Sequence, residues 1–134
     1  MFVGHTDKIL VCITPQSNSR RLIYCGYERA RDSNGYLAIL NVERGQSICT
    51  KPESAEILQQ LFDYAAECGA TVHALCSNDV AETIIKFIRN ERITHLILGE
   101  HSREYSGEGS SVITQISERL PHIGIEVLPR EDNE

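Results

Sequence analysis

The sequence predicts an α/β domain: a doubly wound, five-stranded parallel sheet with helices on both faces, in three layers. Three observations carry the prediction. Apolar runs rich in β-branched residues alternate with amphipathic segments of helical period along most of the chain. The 134 residues suit one compact domain with a single core, and no repeat, low-complexity stretch or linker divides them. Aromatic residues make up 6% of the chain and Trp is absent, so Ala, Ile, Leu and Val build the core, as is usual where a sheet packs against helices.

The first strand is Lys8 to Thr14, KILVCIT, a continuous apolar run suited to burial on both faces. Pro15 ends it, because proline removes a ladder donor and disfavours helix at the residue before it. Ser17, Asn18 and Ser19 offer N-caps for a first helix whose buried stripe is Leu22, Ile23, Gly26, Tyr27 and Ala30, with Asn34-Gly35 as its stop. Tyr36 to Val42 is the second strand, and Arg44 to Pro52 a polar loop long enough to suggest a lid over the sheet edge. A second helix from about Glu53 to Cys68 shows Leu58, Leu61, Phe62 and Ala65 on one face and stops at Gly69. Ala70 to Cys76 is the third strand. The third helix opens with a capping box, Asp79 with Glu82 three residues on, and buries Val80, Ile84, Ile85 and Ile88. Thr94 to Leu98 is the fourth strand. A fourth helix carries Val112, Ile113, Ile116 and Leu120 and ends at Pro121, before a fifth strand from Ile123 to Leu128. Glu126 inside that strand marks it as an edge protected from indiscriminate pairing. Chain order alone leaves two sheet orders open, 2-1-3-4-5 and 3-2-1-4-5.

Composition excludes several classes of function. A formal charge of −6 argues against a nucleic-acid surface, which needs clustered Lys and Arg. The five cysteines (Cys12, Cys25, Cys49, Cys68 and Cys76) are odd in number and lack C-x-x-C spacing, so they read as small hydrophobes and not as zinc ligands or disulfides. With no signal peptide and no apolar run near membrane-spanning length, a reduced, cytoplasmic protein is expected, with no membrane insertion. There is no G-x-S-x-G elbow and no G-x-x-x-x-G-K-[ST] loop, so no catalysis is expected. The core spans residues 8–128, and residues 129–134 form an acidic tail expected to fray.

Several of these segments together resemble a known family. KILVCIT followed by Pro15, Ser17 and Arg21-Leu22-Ile23 resembles the opening of universal stress protein (UspA-like) domains. Asp79-Val80-Ala81-Glu82, then Phe87, Ile93-Thr94 and Ile97-Leu98-Gly99, is similar to the version embedded in Kdp-type potassium-sensor histidine kinases. The resemblance covers residues 8 to 128. It implies the Rossmann-like, adenine nucleotide alpha hydrolase-like fold with sheet order 3-2-1-4-5, a signalling role in stress or osmotic response, and a homodimer through strand 123–128. It also implies a nucleotide-type ligand, ATP or AMP as in the ATP-binding members, or cyclic-di-AMP as in some sensor-kinase members.

The pattern for ATP departs from the family's in specific ways. The acidic residue that ATP-binding members place at the end of strand one corresponds to Thr14. Gly99 matches the first glycine of G-x-x-G, but Ser102 stands at the second, and Gly109-Ser110 supply the closing glycine-serine pair three residues early. Glycine lets backbone approach phosphate closely, and Ser102 does so less easily. The loop also carries Glu100, Glu104 and Glu108 against Arg103, and like charge weakens a polyphosphate site. For cyclic-di-AMP, Thr14-Pro15-Gln16 faces the family's S-x-S, and Leu37 to Asn41 faces an F-T-A-x-Y strand, so Asn41 puts an amide where an aromatic would stack.

The ligand contacts expected on this basis are Thr14, Pro15 and Ser17 after strand one, and Asn41 and Val42 at the end of strand two. Gly99, His101, Ser102 and Arg103 after strand four, and Gly109, Ser110 and Ser111 before the fourth helix, complete the set. Carboxyl ends of strands beside a switch point are the default ligand site of such sheets. Each residue also has a plainer reading: Thr14 ends a strand, Asn41 tolerates a half-exposed strand end, the loop charges are solvated, and Gly109 to Ser111 cap a helix. Two rival functions follow from the same residues. One is a slow ATP hydrolase or phosphotransfer protein using Arg103, Ser110 and a metal on Glu104; the other is a ligand-free protein-interaction module.

Overall fold

The computed structural model of the chain describes residues 7–14, 19–44, 52–99 and 112–129. Strands β1 (Lys8–Cys12), β2 (Tyr36–Arg44), β3 (Thr71–Ser77), β4 (His95–Gly99) and β5 (Gly124–Leu128) alternate with helices α1 (Arg20–Ser33), α2 (Pro52–Glu67), α3 (Val80–Glu91) and α4 (Val112–Arg119). All four strand pairings are parallel, in the order β3-β2-β1-β4-β5. This settles the choice that chain order left open. It places the switch point between β1 and β4, and it leaves β3 and β5 as the edges, as Glu126 had indicated for the latter.

The alternation of side chains along each strand divides the core in two. Leu10, Ala38, Leu40, Leu96 and Leu98 join Ile84, Ile85 and Ile116 on the α3–α4 face. Ile9, Val11, Ile39 and Ile97 join Ile23, Leu58 and Leu61 on the α1–α2 face. Helix α1 lies very close to the sheet because of Gly26. A methyl group built there would stand 2.5 Å from Val11 Cγ2 and 2.9 Å from Leu37 Cδ1, so only a residue without Cβ lets the helix approach this far.

Helix ends follow the stop signals in the sequence. Asn34 takes the left-handed conformation after α1 (φ 55°), and Gly69 does so after α2 (φ 84°). After α3 the same role falls to Arg92 (φ 58°), a residue the sequence did not mark as a stop. The capping box at the start of α3 forms by half. Asp79 accepts the backbone N–H of Glu82 at 3.1 Å, but the Asp79 N–H goes to Ser77 Oγ. The Glu82 carboxylate turns instead to Arg119 of α4 at 2.6 Å, tying the two helices together. Among the described residues, no helix is long and apolar enough to cross a membrane.

Candidate ligand-binding site

The carboxyl edge of the sheet brings together the ends of β2, β1 and β4, three neighbouring strands. The pairing of β1 with β2 ends where Ile13 donates to the Leu40 carbonyl at 2.9 Å, so Thr14 is the first residue to leave the sheet. Its peptide is held by Ser19, whose buried hydroxyl donates to the Thr14 carbonyl at 2.9 Å and lies 3.4 Å from the Thr14 N–H. Ser19 was expected among the N-caps. It occupies the N-cap position, yet its side chain caps nothing in α1 because it is spent on the Thr14 peptide.

Asn41 lies one residue beyond the last β1 partner on β2 and on the same sheet face as Ile39. It is 0% exposed, which overturns the reading of a half-exposed strand end. The strand continues to Arg44 and β3 covers it, pairing Asn41 with Ala74. The amide Nδ2 donates to Glu43 Oε2 at 3.1 Å, while Oδ1 is buried with no partner among the described residues. Val42, the neighbouring candidate, turns to the opposite face and is buried in the α3–α4 core, so the structure does not bring it together with Asn41. Gly99 ends β4 opposite Leu128 of β5. Its φ is not positive, and an added Cβ would sit in ordinary contact, 3.4 Å from Leu22 Cδ1. Pro15, Ser17, His101, Ser102, Arg103, Gly109, Ser110 and Ser111 lie outside the described residues.

One residue at this edge escaped the site reading of the sequence. Arg21 stands in the first turn of α1, where the helix dipole disfavours a cation. Its Nη2 donates to the carbonyl of Pro129, just past β5, and its Nε is buried with no partner among the described residues. The available signal was the position itself: a cation at the positive end of a helix must be held by something else. Arg21 Nε and Asn41 Oδ1 are the two buried side-chain polar atoms left unpaired among the described residues, and both belong to this edge. One is a charged donor and the other a neutral acceptor. Asn41 lies on β2 and Arg21 reaches the carbonyl that follows β5; those strand ends are three strand spacings apart, roughly 14 Å, which suits an elongated ligand with an anion at one end and an N–H group at the other.

Cys12 and Cys25 supply no competing chemistry at the site. Desolvation pushes the Cys12 thiol from 9.0 up to about 12, and burial followed by the Glu126 carboxylate raises Cys25, so neither is a ready nucleophile.

The architecture has close counterparts among solved structures. A universal stress protein from Archaeoglobus fulgidus superposes with a TM-score of 0.64 over 93% of both chains, at 16% identity. A member of the same family from Burkholderia pseudomallei gives 0.63 over 96% of this chain and 100% of its own, at 15% identity. The chain has the universal stress protein fold. Within that fold, an Archaeoglobus fulgidus structure in complex with dAMP matches with a TM-score of 0.62, at 17% identity over 93% of this chain and 98% of that one. A universal stress protein in complex with cAMP matches at 0.60, with 17% identity over 93% and 97%. No protein-family model matches the sequence. At the sequence level, 97 residues, 72% of this chain, are 27% identical to the sensor protein KdpD of Mycobacterium tuberculosis, and they span 11% of that sensor's length.

Proposed function

We propose that this universal-stress-fold domain is a regulatory module that binds a nucleotide-type ligand at the carboxyl edge of its sheet and signals through the change in that edge. The observation that carries the reading is the pair of unsatisfied buried groups. Burying a polar atom without a partner costs about 1–3 kcal/mol, and such groups concentrate where a ligand completes them. Asn41 Oδ1 would accept from the exocyclic amine of a base, and the Arg21 guanidinium would receive a phosphate, across the ledge formed by Thr14 and Gly99. Pro15, Ser17, His101, Ser102, Arg103, Gly109, Ser110 and Ser111 border the same edge by chain position and belong to the proposed site, with Val42 supporting it from the core side. The dAMP and cAMP complexes of proteins with this fold support the ligand class, and the match to a sensor protein supports a sensor-related signalling subtype; an osmotic role and a cytoplasmic setting are part of the proposal. The reading includes no catalysis and a homodimer through β5, whose outer edge is unpaired among the described residues.

A thermal-shift panel of ATP, ADP, AMP and cyclic-di-AMP, each with and without Mg²⁺, tests it, because a ligand that binds only the folded form must raise the melting temperature. An adenine nucleotide should shift the transition, and the shift should shrink in Gly99→Val, whose branched side chain presses on Leu22 and fills the ledge. A panel without any shift would favour the ligand-free interaction module. Phosphate release that disappears in Arg103→Ala would favour the hydrolase.

A further inference from the structure

The opposite, amino edge of the sheet carries a second feature, unrelated to the nucleotide reading. Between the carboxyl ends of α3 and α4 lies a groove of about 430 Å³. Its floor is apolar, formed by Ile88, Ile93, Leu120 and Ile123, and its rim carries Arg89, Arg92, Arg119 and His122. In a chain of net charge −6, three guanidiniums around one groove form a local reversal of sign. Among the described residues, no carboxylate lines the groove. Arg119 engages Glu82 through Nη1, whereas the side chains of Arg89 and Arg92 have no hydrogen-bond or ion-pair partner among the described residues.

Helix-end electrostatics accounts for part of this arrangement, since cations are favoured near the last turn of a helix. It does not account for the backbone conformation of Arg92. That residue occupies the left-handed position that ends α3, where Asn34 and Gly69 serve α1 and α2. A residue with a long side chain is disfavoured in that conformation relative to glycine. The chain therefore holds a guanidinium at the groove in a backbone conformation that resists it, and stability yields to something else at this point.

We infer that the groove is a docking site for an acidic segment of a partner protein, one that sets carboxylates against Arg89, Arg92 and Arg119 and lays an aliphatic side chain on the Ile88–Leu120 floor. Guanidiniums match carboxylates in bidentate geometry, and an apolar floor inside a polar rim is the usual anatomy of a contact surface. Charge complementarity favours an acidic peptide. A membrane is disfavoured by the overall negative charge, because anionic headgroups would repel the rest of the surface.

The test is a ¹⁵N–¹H NMR titration of the full chain with the peptide acetyl-Glu-Leu-Glu-Glu-Leu-Glu-amide, with its Gln-for-Glu counterpart and with phosphatidylglycerol vesicles as parallel arms. The acidic peptide should perturb amides of Ile88 to Thr94 and Arg119 to Ile123 at about 1 mM, the weak end of the affinity scale, and the Gln peptide should not. R89E/R92E should abolish the perturbation. Arg92→Gly should weaken binding severalfold while raising the melting temperature by about 2 °C, since glycine relieves the left-handed backbone. That divergence separates a docking role from a structural one. No perturbation by the acidic peptide, equal perturbation by the Gln peptide, binding that survives R89E/R92E, or binding to the vesicles instead would each overturn the inference.

Discussion

Asn41 is the residue whose environment most constrains the account. It is a fully buried amide set among Leu37, Ala38, Ile39, Leu40 and Val42 of β2, and its carbonyl oxygen has no partner among the described residues. Replacing it with leucine, of similar size, removes the orphaned carbonyl. Asn41→Leu should therefore raise unfolding stability by about 1 kcal/mol, measured by urea denaturation, while reducing any nucleotide-induced shift. Cys12 makes a second prediction at this scale. Its thiol is held neutral, from 9.0 in the ordinary case to about 12 in the fold. An acid with a raised folded-state value favours folding below its unfolded pKa, and that contribution is lost as pH rises between about 9 and about 12. Stability should fall through that window, and the fall should be smaller in Cys12→Ala when both are followed by denaturant midpoint. Neither property was visible in the sequence: Asn41 looked like a strand-end residue because β3's cover of that position depends on register, and a strand cysteine carries no mark of its desolvation.

At the scale of elements, the nine segments were legible because hydrophobic period and stop residues act locally. Asn34 and Gly69 end their helices in the conformation that their chemistry favours, and Asp79 caps α3 through its side chain. Asp79→Ala should cost about 1 kcal/mol of unfolding free energy. What was not legible depends on partners distant in sequence. Glu82 looked like half of a capping box, but Arg119, brought near by the packing of α4 on α3, attracts its carboxylate more strongly than a backbone N–H already satisfied by Ser77. Ser19 likewise left its capping role for the Thr14 turn. Gly26 shows the converse, a residue whose part in the buried stripe of α1 was read from spacing and whose reason is the close approach of Val11 and Leu37. Gly26→Ala should destabilise the domain by about 2 kcal/mol despite the better helix propensity of alanine, because the added methyl overpacks a filled interface. A guanidinium chloride titration of the two proteins would show it.

For the whole molecule, sheet order decides function, because it fixes which strand ends meet. The order β3-β2-β1-β4-β5 sets Thr14 between Asn41 and Gly99 and brings Arg21 to the carbonyl that follows β5. Periodicity alone admitted two orders; the family resemblance selected one, and the structure has it. Of the proposed site, the sequence pointed to the edge where Thr14, Asn41 and Gly99 meet, while Arg21 emerged only when α1 was seen packed beside the end of β5. The two edges of the sheet then carry separate roles in this account, a ligand ledge at the carboxyl end and a basic groove at the amino end. In the proposed reading, a nucleotide completes the orphaned polar atoms of the carboxyl edge. The most direct measurement is isothermal titration of AMP, ATP and cyclic-di-AMP into the wild-type chain and into Asn41→Leu and Arg21→Gln. Saturable binding of at least one adenine nucleotide to the wild type, weakened about tenfold or more in each variant, about 1.4 kcal/mol per decade, is the predicted result; no binding, or binding of equal strength in all three proteins, would contradict it.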